Sequence, residues 1–184
     1  MEMQYLNPNT NKLKLTSVFG SENTDLVVFS IFVFFIPLAF HSTEFHIQLI
    51  VGSFVNMLLA SSALYLSFKK TLPIILLPSI AAVASGFIFG PLSIFLLYLV
   101  PFIWVSNALY VYFIKHLKLA ENKNYIFSVL TASTIKSIFL LISTLALIYF
   151  GIVPEIFLIP MSIVQFVTAS IGGSATGIIL VLKK

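Results

Sequence analysis

Long apolar stretches fill almost the whole chain, and they constrain its fold more than any other feature. The sequence is 59% hydrophobic and only 9% charged. A helix needs about 20 apolar residues to cross a hydrocarbon layer of about 30 Å. Helices satisfy their own backbone groups there, and runs such as Leu26–Phe40 lack the alternation of a barrel strand. We therefore predict an all-α integral membrane protein, a six-helix transmembrane bundle with spans near 25–40, 46–68, 71–89, 92–114, 125–150 and 156–182.

Lysines are distributed unevenly between the two ends of these spans. The turns at His41–Phe45, Gly90–Pro91 and Gly151–Glu155 contain no lysine or arginine. Nine lysines flank the opposite ends: Lys12, Lys14, Lys69, Lys70, Lys115, Lys118, Lys123, Lys183 and Lys184. Short loops rich in lysine stay cytoplasmic. We predict a multi-pass protein of the cell membrane with both termini inside, residues 1–24 forming a polar cytoplasmic segment and residues 25–184 the transmembrane domain.

Several classes of function are excluded by composition or disfavoured by missing motifs. The chain has no cysteine, which excludes disulfides, thiolate-held zinc and cysteine-ligated iron–sulfur clusters. It has neither a glycine-rich phosphate loop nor a His-Glu-x-x-His motif. The basic residues are scattered pairs rather than a patch, so nucleic acid is not an expected partner. We expect no enzymatic activity and no cofactor, with the lipid bilayer and a small solute as partners.

The remaining lysine, Lys136, lies inside an apolar run. A lysine at the centre of a span costs about 2.5–3.5 kcal/mol on insertion scales, and an intramembrane ionisable group is by default a candidate for function. All six acidic residues are predicted outside the hydrocarbon core: Glu2, Glu22, Asp25, Glu44, Glu121 and Glu155. Four roles therefore stay open for Lys136. It binds an anionic solute, is held by amides and carbonyls, pairs with an acid of another subunit, or is uncharged through desolvation.

Hydroxyl residues surround Lys136 in the sequence. Ser133, Thr134 and Ser137 predict that this helix has a polar face. A polar face favours an interior or cavity position for the lysine over one that faces lipid.

Three further polar residues are predicted at membrane depth: Asn56, Asn107 and Gln165. Small numbers of polar groups fix the orientation of ligands in mostly apolar pockets. We predict that these amides bind substrate together with Lys136, and that Gln48, His46 and Glu44 form the outer lip of the site. Trp104 is a weaker candidate for the cavity wall, since an apolar packing role is more usual for such a residue.

The segment from His41 to Gln48 holds two imidazoles and a carboxylate. His41, Glu44 and His46 could ligate a divalent metal. Their spacing is not a known metal signature, and polar residues are ordinary in a water-facing turn. We therefore predict no metal site and treat these three residues only as weak candidates.

Small residues recur at four-residue spacing within the second, third and sixth spans. Lipid tails are as apolar as leucine, so membrane helices associate through close backbone approach and interhelical hydrogen bonds. We predict that five glycines mark the helix-packing surfaces: Gly52, Gly86, Gly172, Gly173 and Gly177.

Several stretches together resemble a family of small six-span prokaryotic membrane proteins. The resemblance covers roughly residues 46–177 and includes Lys136 in its apolar context. Its sequence stretches are His46-Ile-Gln48-Leu-Ile-Val-Gly52 continuing to Asn56, Leu77-Pro78-Ser79-Ile-Ala81-Ala82 with Ser85-Gly86, Pro101-Phe-Ile with Ser106-Asn107-Ala108, and Gln165-Phe-Val-Thr168-Ala169 with Gly172-Gly173. The family often carries the label "iron hydrogenase". That chemistry does not fit a chain without cysteine.

The predicted architecture is similar to that of the substrate-binding S components of energy-coupling-factor (ECF) transporters. This resemblance implies a solute pocket open to the outside, with a transmembrane coupling subunit and two ATPases that drive uptake. S components often dock the coupling subunit through an Ala-x-x-x-Ala pair on the first helix. The first span here is rich in phenylalanine and has no such pair.

We therefore expect a solute-uptake protein, an S-component-like subunit that binds a small anionic nutrient. The alternative is a non-catalytic structural or assembly subunit of a larger membrane complex. In that case Lys136 pairs with a carboxylate of a partner subunit.

Overall fold

The computed structural model describes residues 14–39, 45–85 and 90–182, and these residues form helices without any strand. This confirms the predicted all-α class. The described residues contain six α-helices: α1 (Glu22–Ala39), α2 (Phe45–Tyr65), α3 (Leu72–Ser85), α4 (Leu96–Lys115), α5 (Tyr125–Tyr149) and α6 (Ile163–Leu182). Four of them are long and apolar enough to cross a membrane, namely α1, α2, α4 with its extension to Ala120, and α5.

The helix ends differ from the predicted spans where local chemistry intervenes. Helix α1 begins at Glu22, three residues before the predicted span. Ser21 precedes it, and the Ser21 hydroxyl accepts a hydrogen bond of 3.1 Å from the Thr24 backbone N–H. A serine at this position satisfies a backbone donor that the helix itself leaves unpaired.

The prediction that the sixth span begins near residue 156 is wrong. Only the short 3₁₀ helix Glu155–Phe157 and a run of turns precede Ile163. Proline has no backbone N–H and clashes with the carbonyl four residues earlier. Pro160 removes one donor from this segment, although Pro37, Pro78 and Pro101 lie within helices elsewhere in the chain.

Helix α5 has well-defined signals at both ends. The Asn124 side chain accepts hydrogen bonds from the backbone N–H groups of Ile126 and Phe127. Gly151 follows the other end with a φ of 70°, and the Ile152 N–H donates to the Leu147 carbonyl at 2.9 Å. This hydrogen-bond pattern is a common glycine-dependent helix end. It gives α5 the bounds predicted from sequence to within one residue.

The helices pack in four main pairs, α2 with α6, α4 with α5, α1 with α3, and α5 with α6. The α2–α6 pair is the most closely packed. A Cβ added at Gly172 would lie 2.2 Å from the Ser53 carbonyl oxygen and 2.7 Å from the Met57 backbone nitrogen. Because only glycine allows the two backbones to approach this far, Gly172 determines how closely α2 and α6 pack.

The other glycines predicted at helix contacts are placed as follows. Gly173 lies against Tyr110 and Val129 rather than α2, and Gly177 lies against the ring of Tyr125. Gly52 lies against Thr168. Gly86 falls outside the described residues.

The end of the bundle that carries Lys14, Lys70 and Lys115 is closed by polar contacts and by the chain that precedes α1. Glu22 accepts hydrogen bonds from Lys14 and from the Ser67 backbone N–H. The Leu15 N–H donates to the Leu64 carbonyl at 2.7 Å. The interior of the bundle next to this end holds a large apolar core. This end of the molecule is therefore filled.

Large apolar side chains are exposed on the outside of the helices. Examples are Phe35, Ile50, Ile138, Ile142 and Ile171, each at least half exposed. A folded chain in water rarely leaves so many large apolar groups in contact with solvent, and such surfaces suit a membrane or a protein partner.

Candidate functional site

Lys136 lies in the middle of the bundle and is 2% exposed. It is the twelfth residue of α5, about 16 Å along the axis from Tyr125 at about 1.5 Å per residue. Its ammonium lies 5.3 Å from the centre of the Tyr110 ring, which is itself fully buried. Cations are attracted to aromatic faces at this distance.

Two asparagine side chains hold the ammonium group. Lys136 Nζ donates to Asn56 Oδ1 at 2.6 Å and to Asn107 Oδ1 at 2.8 Å. These residues come from α2 and α4, so the lysine on α5 joins three helices. Both partners are neutral.

Hydrogen bonds donated by the amide nitrogens of the two asparagines fix the orientation of their side chains. Asn56 Nδ2 donates to the Gly52 carbonyl at 2.9 Å and to Thr168 Oγ1 at 3.2 Å. Asn107 Nδ2 donates to the Ile75 carbonyl at 3.2 Å. With the amide nitrogens engaged in this way, the amide oxygens are directed at Lys136.

No carboxylate pairs with Lys136 in the described part of the chain. The ion pairs found there are Lys14–Glu22 and Lys70–Glu22, and His116 Nε2 lies 2.9 Å from Glu121 Oε1. Asp25 is fully buried, but its carboxylate accepts hydrogen bonds from the Val18 and Phe19 backbone N–H groups at 2.7 Å.

Lys136 lines a cavity of about 160 Å³. Besides Lys136, its polar lining residues are Gln48, Asn56, Ser79, Asn107, Gln165 and Thr168. The apolar part of the wall includes Pro37, Pro78, Leu96, Ile103, Pro160 and Met161. The cavity therefore lies toward the end of the bundle where the described residues carry no lysine, above the filled apolar core.

Five residues predicted to bind substrate surround this one cavity: Lys136, Asn56, Asn107, Gln165 and Gln48. The sixth, His46, belongs to α2, but its side chain lies outside the described residues. His41 and Glu44 are also outside them. No group of three possible metal-ligating side chains occurs among the residues that the structure describes.

The segment between α5 and α6 covers part of the cavity. Phe157 is fully buried, Met161 is 5% exposed, and both pack in an apolar cluster with Leu96, Leu99 and Leu140. Pro160 and Met161 reach the cavity wall from this segment. Sequence reasoning assigned the lip to Gln48, His46 and Glu44, of which Gln48 lines the cavity, and it did not predict this contribution from the α5–α6 segment.

Only part of the hydroxyl set around Lys136 belongs to the buried polar face of α5. Thr134 is exposed and donates back to the Leu130 carbonyl of its own helix, and Ser137 donates to the Thr134 carbonyl. Ser133 is buried together with Lys136, as are Ser128, Ser143 and Thr144 of the same helix. Serine and threonine can satisfy themselves on the preceding turn, so their presence does not identify a buried helix face.

Trp104 packs between α4 and α3 rather than lining the cavity. Its indole Nε1 donates to Ser79 Oγ at 2.6 Å. Ser79 in turn donates to the Leu76 carbonyl. The tryptophan therefore holds the cavity residue Ser79 in place without lining the cavity itself. This agrees with the packing role that is more usual for such a residue.

Tyr110 and Thr168 were not predicted as part of the site. Tyr110 lies one helical turn after Asn107, and Thr168 one turn after Gln165. Residues three apart share a helix face, and this spacing from a predicted polar residue is the signal that identifies them. Tyr110 also donates to the Ala169 carbonyl at 2.8 Å, which ties α4 to α6 beside the lysine.

Lys136 is the one basic residue of the described cavity lining, so an anion in the cavity would lie beside it. An ammonium has three N–H donors, and Lys136 uses two of them on the asparagine oxygens. A negatively charged ligand in the cavity would supply the counter-charge that the described residues lack. Comparison with protein-family models, curated proteins and solved structures gave no match for this chain.

Proposed function

We propose that this chain is a solute-uptake protein of the cell membrane, a substrate-binding subunit similar to the S components of ECF transporters. The observation that carries the proposal is the buried Lys136, held by the neutral Asn56 and Asn107 at the wall of a cavity. A charge without an ionic partner is costly in an apolar interior. A small anionic solute offsets that cost when it binds, because opposite charges attract more strongly in a low dielectric.

In this proposal all six helices cross the bilayer, and both termini face the cytoplasm. The lysines at one end support this orientation, because short lysine-rich loops stay inside. The cavity then lies in the outer half of the bundle and receives solute from outside. Passage to the cytoplasm requires a rearrangement, since the apolar core fills the inner half. A transmembrane coupling subunit and ATPases are the proposed partners that would drive it.

The experiment is purification from native membranes in mild detergent, followed by mass spectrometry of every retained protein and small molecule. We expect a small acid bound to the chain, together with a coupling subunit and paired ATPases. Recovery with subunits of a different membrane complex, and without any small molecule, would favour the structural-subunit alternative.

A variant pair then tests the role of Lys136. We expect Lys136→Met to lose the acid found in the first experiment, with affinity lowered more than about tenfold, because a hydrogen bond to a charged group contributes about 1.5–3 kcal/mol. Lys118→Met removes a lysine near the basic end and should bind normally. Unchanged affinity in Lys136→Met would overturn the ligand assignment, provided that both variants elute as folded protein.

A further inference from the structure

The cavity beside Lys136 contains one charged group and no acid among its described lining residues. Any ammonium group of a ligand would therefore be buried there without a counter-charge. A second carboxylate on the ligand would also be buried without a counter-charge, because Lys136 is the single basic residue of the described lining. Unpaired charges are strongly disfavoured in an apolar interior. The site is thus suited to a ligand with one negative charge.

Many of the polar groups around the cavity are already engaged within the protein. The Asn56 amide nitrogen donates to Gly52 and Thr168, and the hydroxyl of Thr168 donates to the Val164 carbonyl at 2.8 Å. Ser79 donates to the Leu76 carbonyl at 2.9 Å. The donors of these three side chains are therefore already used in hydrogen bonds within the protein. The charged donor that remains for a ligand is the third N–H of Lys136, and the Gln165 amide also lines the cavity.

Apart from the amides of Gln48 and Gln165, the cavity wall favours a small and apolar ligand body. Leu96, Ile103 and Met161 present hydrocarbon or thioether surface, and prolines present ring carbons. A volume of about 160 Å³ is close to that of an engineered cavity of about 150 Å³ that holds benzene. It is well below the range of about 300–1,000 Å³ that is typical of pockets for drug-sized molecules.

We infer that the ligand is a compact monocarboxylate with an uncharged apolar body. Its carboxylate accepts a hydrogen bond from Lys136 at the centre of the bundle. Its body lies toward the α5–α6 segment, against Leu96, Ile103 and Met161. This inference rests on the proposed function and narrows the solute class, since it excludes α-amino acids and dicarboxylates as preferred ligands.

Four matched probes test the inference: 3-methylbutanoate, 3-methylbutanamide, valine and methylbutanedioate. They have similar carbon skeletons and differ in charge. Isothermal titration with the purified full-length protein in lipid nanodiscs at neutral pH measures each dissociation constant. We expect 3-methylbutanoate to bind at least about tenfold more tightly than each of the other three, because only it offers one carboxylate without a further charge.

Lys136→Met provides the matched control, because it retains the apolar wall but removes the charge. We expect this variant to lose the preference for the acid over the amide. A preference that persists in Lys136→Met would overturn the assignment of the carboxylate to this lysine.

The outcomes separate this inference from the proposed function. Equal or tighter binding of valine or of the diacid overturns the monocarboxylate class and leaves anion uptake standing. If none of the four probes binds, the inference fails. The proposed function fails as well only if the protein from native membranes also carries no anion.

Discussion

At the scale of single residues, the unusual feature is a lysine whose contacts are neutral. In each asparagine that it contacts, the amide nitrogen donates hydrogen bonds to other groups. These hydrogen bonds fix the position of the amide oxygen. A neutral hydrogen bond contributes about 0.5–1.5 kcal/mol and one to a charged group about 1.5–3 kcal/mol. A carboxylate in place of either asparagine would be the stronger partner. In the proposed function, these neutral partners leave the charge of Lys136 available to an anion.

Asn56→Asp tests this reasoning with almost no change in shape. We expect an aspartate 2.6 Å from the ammonium to neutralise the site and to lower anion affinity more than about tenfold. Stability should change by no more than about 2 kcal/mol, because the new ion pair offsets the amide hydrogen bonds that are lost. Ligand titration and thermal unfolding in detergent measure the two effects.

Asn124→Asp is the matched control. It makes the same chemical change at the start of α5, where aspartate caps a helix as well as asparagine does. Full affinity in Asn56→Asp would mean that Lys136 only joins the helices and binds no anion.

At the scale of elements, close contact between α2 and α6 sets the geometry of the site. Gly172 brings the two backbones together, and Gly52 allows Thr168 to approach α2. Asn56 lies between these contacts and is bonded to both Gly52 and Thr168. The direction of the Asn56 amide, and hence the position of the lysine, therefore depends on the spacing of two helices.

Gly172→Ala tests the importance of this spacing. The added methyl group would lie 2.2 Å from a backbone oxygen of α2, which cannot move without moving the helix. We expect a loss of about 1–3 kcal/mol, typical of overpacking, together with weaker ligand binding. Reversible unfolding in detergent and ligand titration provide the measurements.

Gly177→Ala offers a graded comparison on the same helix. Its nearest contact would be a ring carbon of Tyr125 at 3.1 Å, so we expect a smaller loss of stability. If Gly172→Ala loses no more stability than Gly177→Ala, then Gly172 does not set the spacing between α2 and α6.

At the scale of the whole molecule, the two ends of the bundle differ. The end that carries Lys70 and Lys118 is closed by ion pairs and by the chain before α1. The other end contains the cavity and exposes Tyr149, at 86%. Tyrosine is enriched at membrane–water interfaces, so this position fits the outer edge of the proposed span.

The proposed orientation has a direct test, because the chain has no cysteine of its own. Single cysteines introduced as Tyr149→Cys and Lys118→Cys can be labelled with a membrane-impermeant maleimide. We expect Tyr149→Cys to react in intact cells and Lys118→Cys to react only after permeabilisation. The reverse pattern would place the lysines outside, and reaction of both in intact cells would contradict α5 as a single span.

The sequence alone determined the helical class and the approximate positions of most helices along the chain. Apolar runs of this length leave helices as the expected way to satisfy the backbone in lipid, and cap residues such as Asn124 and Gly151 set the ends of α5. Lys136 and the amides of Asn56 and Asn107 were identifiable as candidates because polar groups at membrane depth are costly. The tertiary structure alone decided that these side chains meet, that Pro160 and Met161 cover the cavity, and that Thr134 faces outward. Those outcomes depend on helix rotation and interhelical distance, which arise from packing between segments far apart in the sequence.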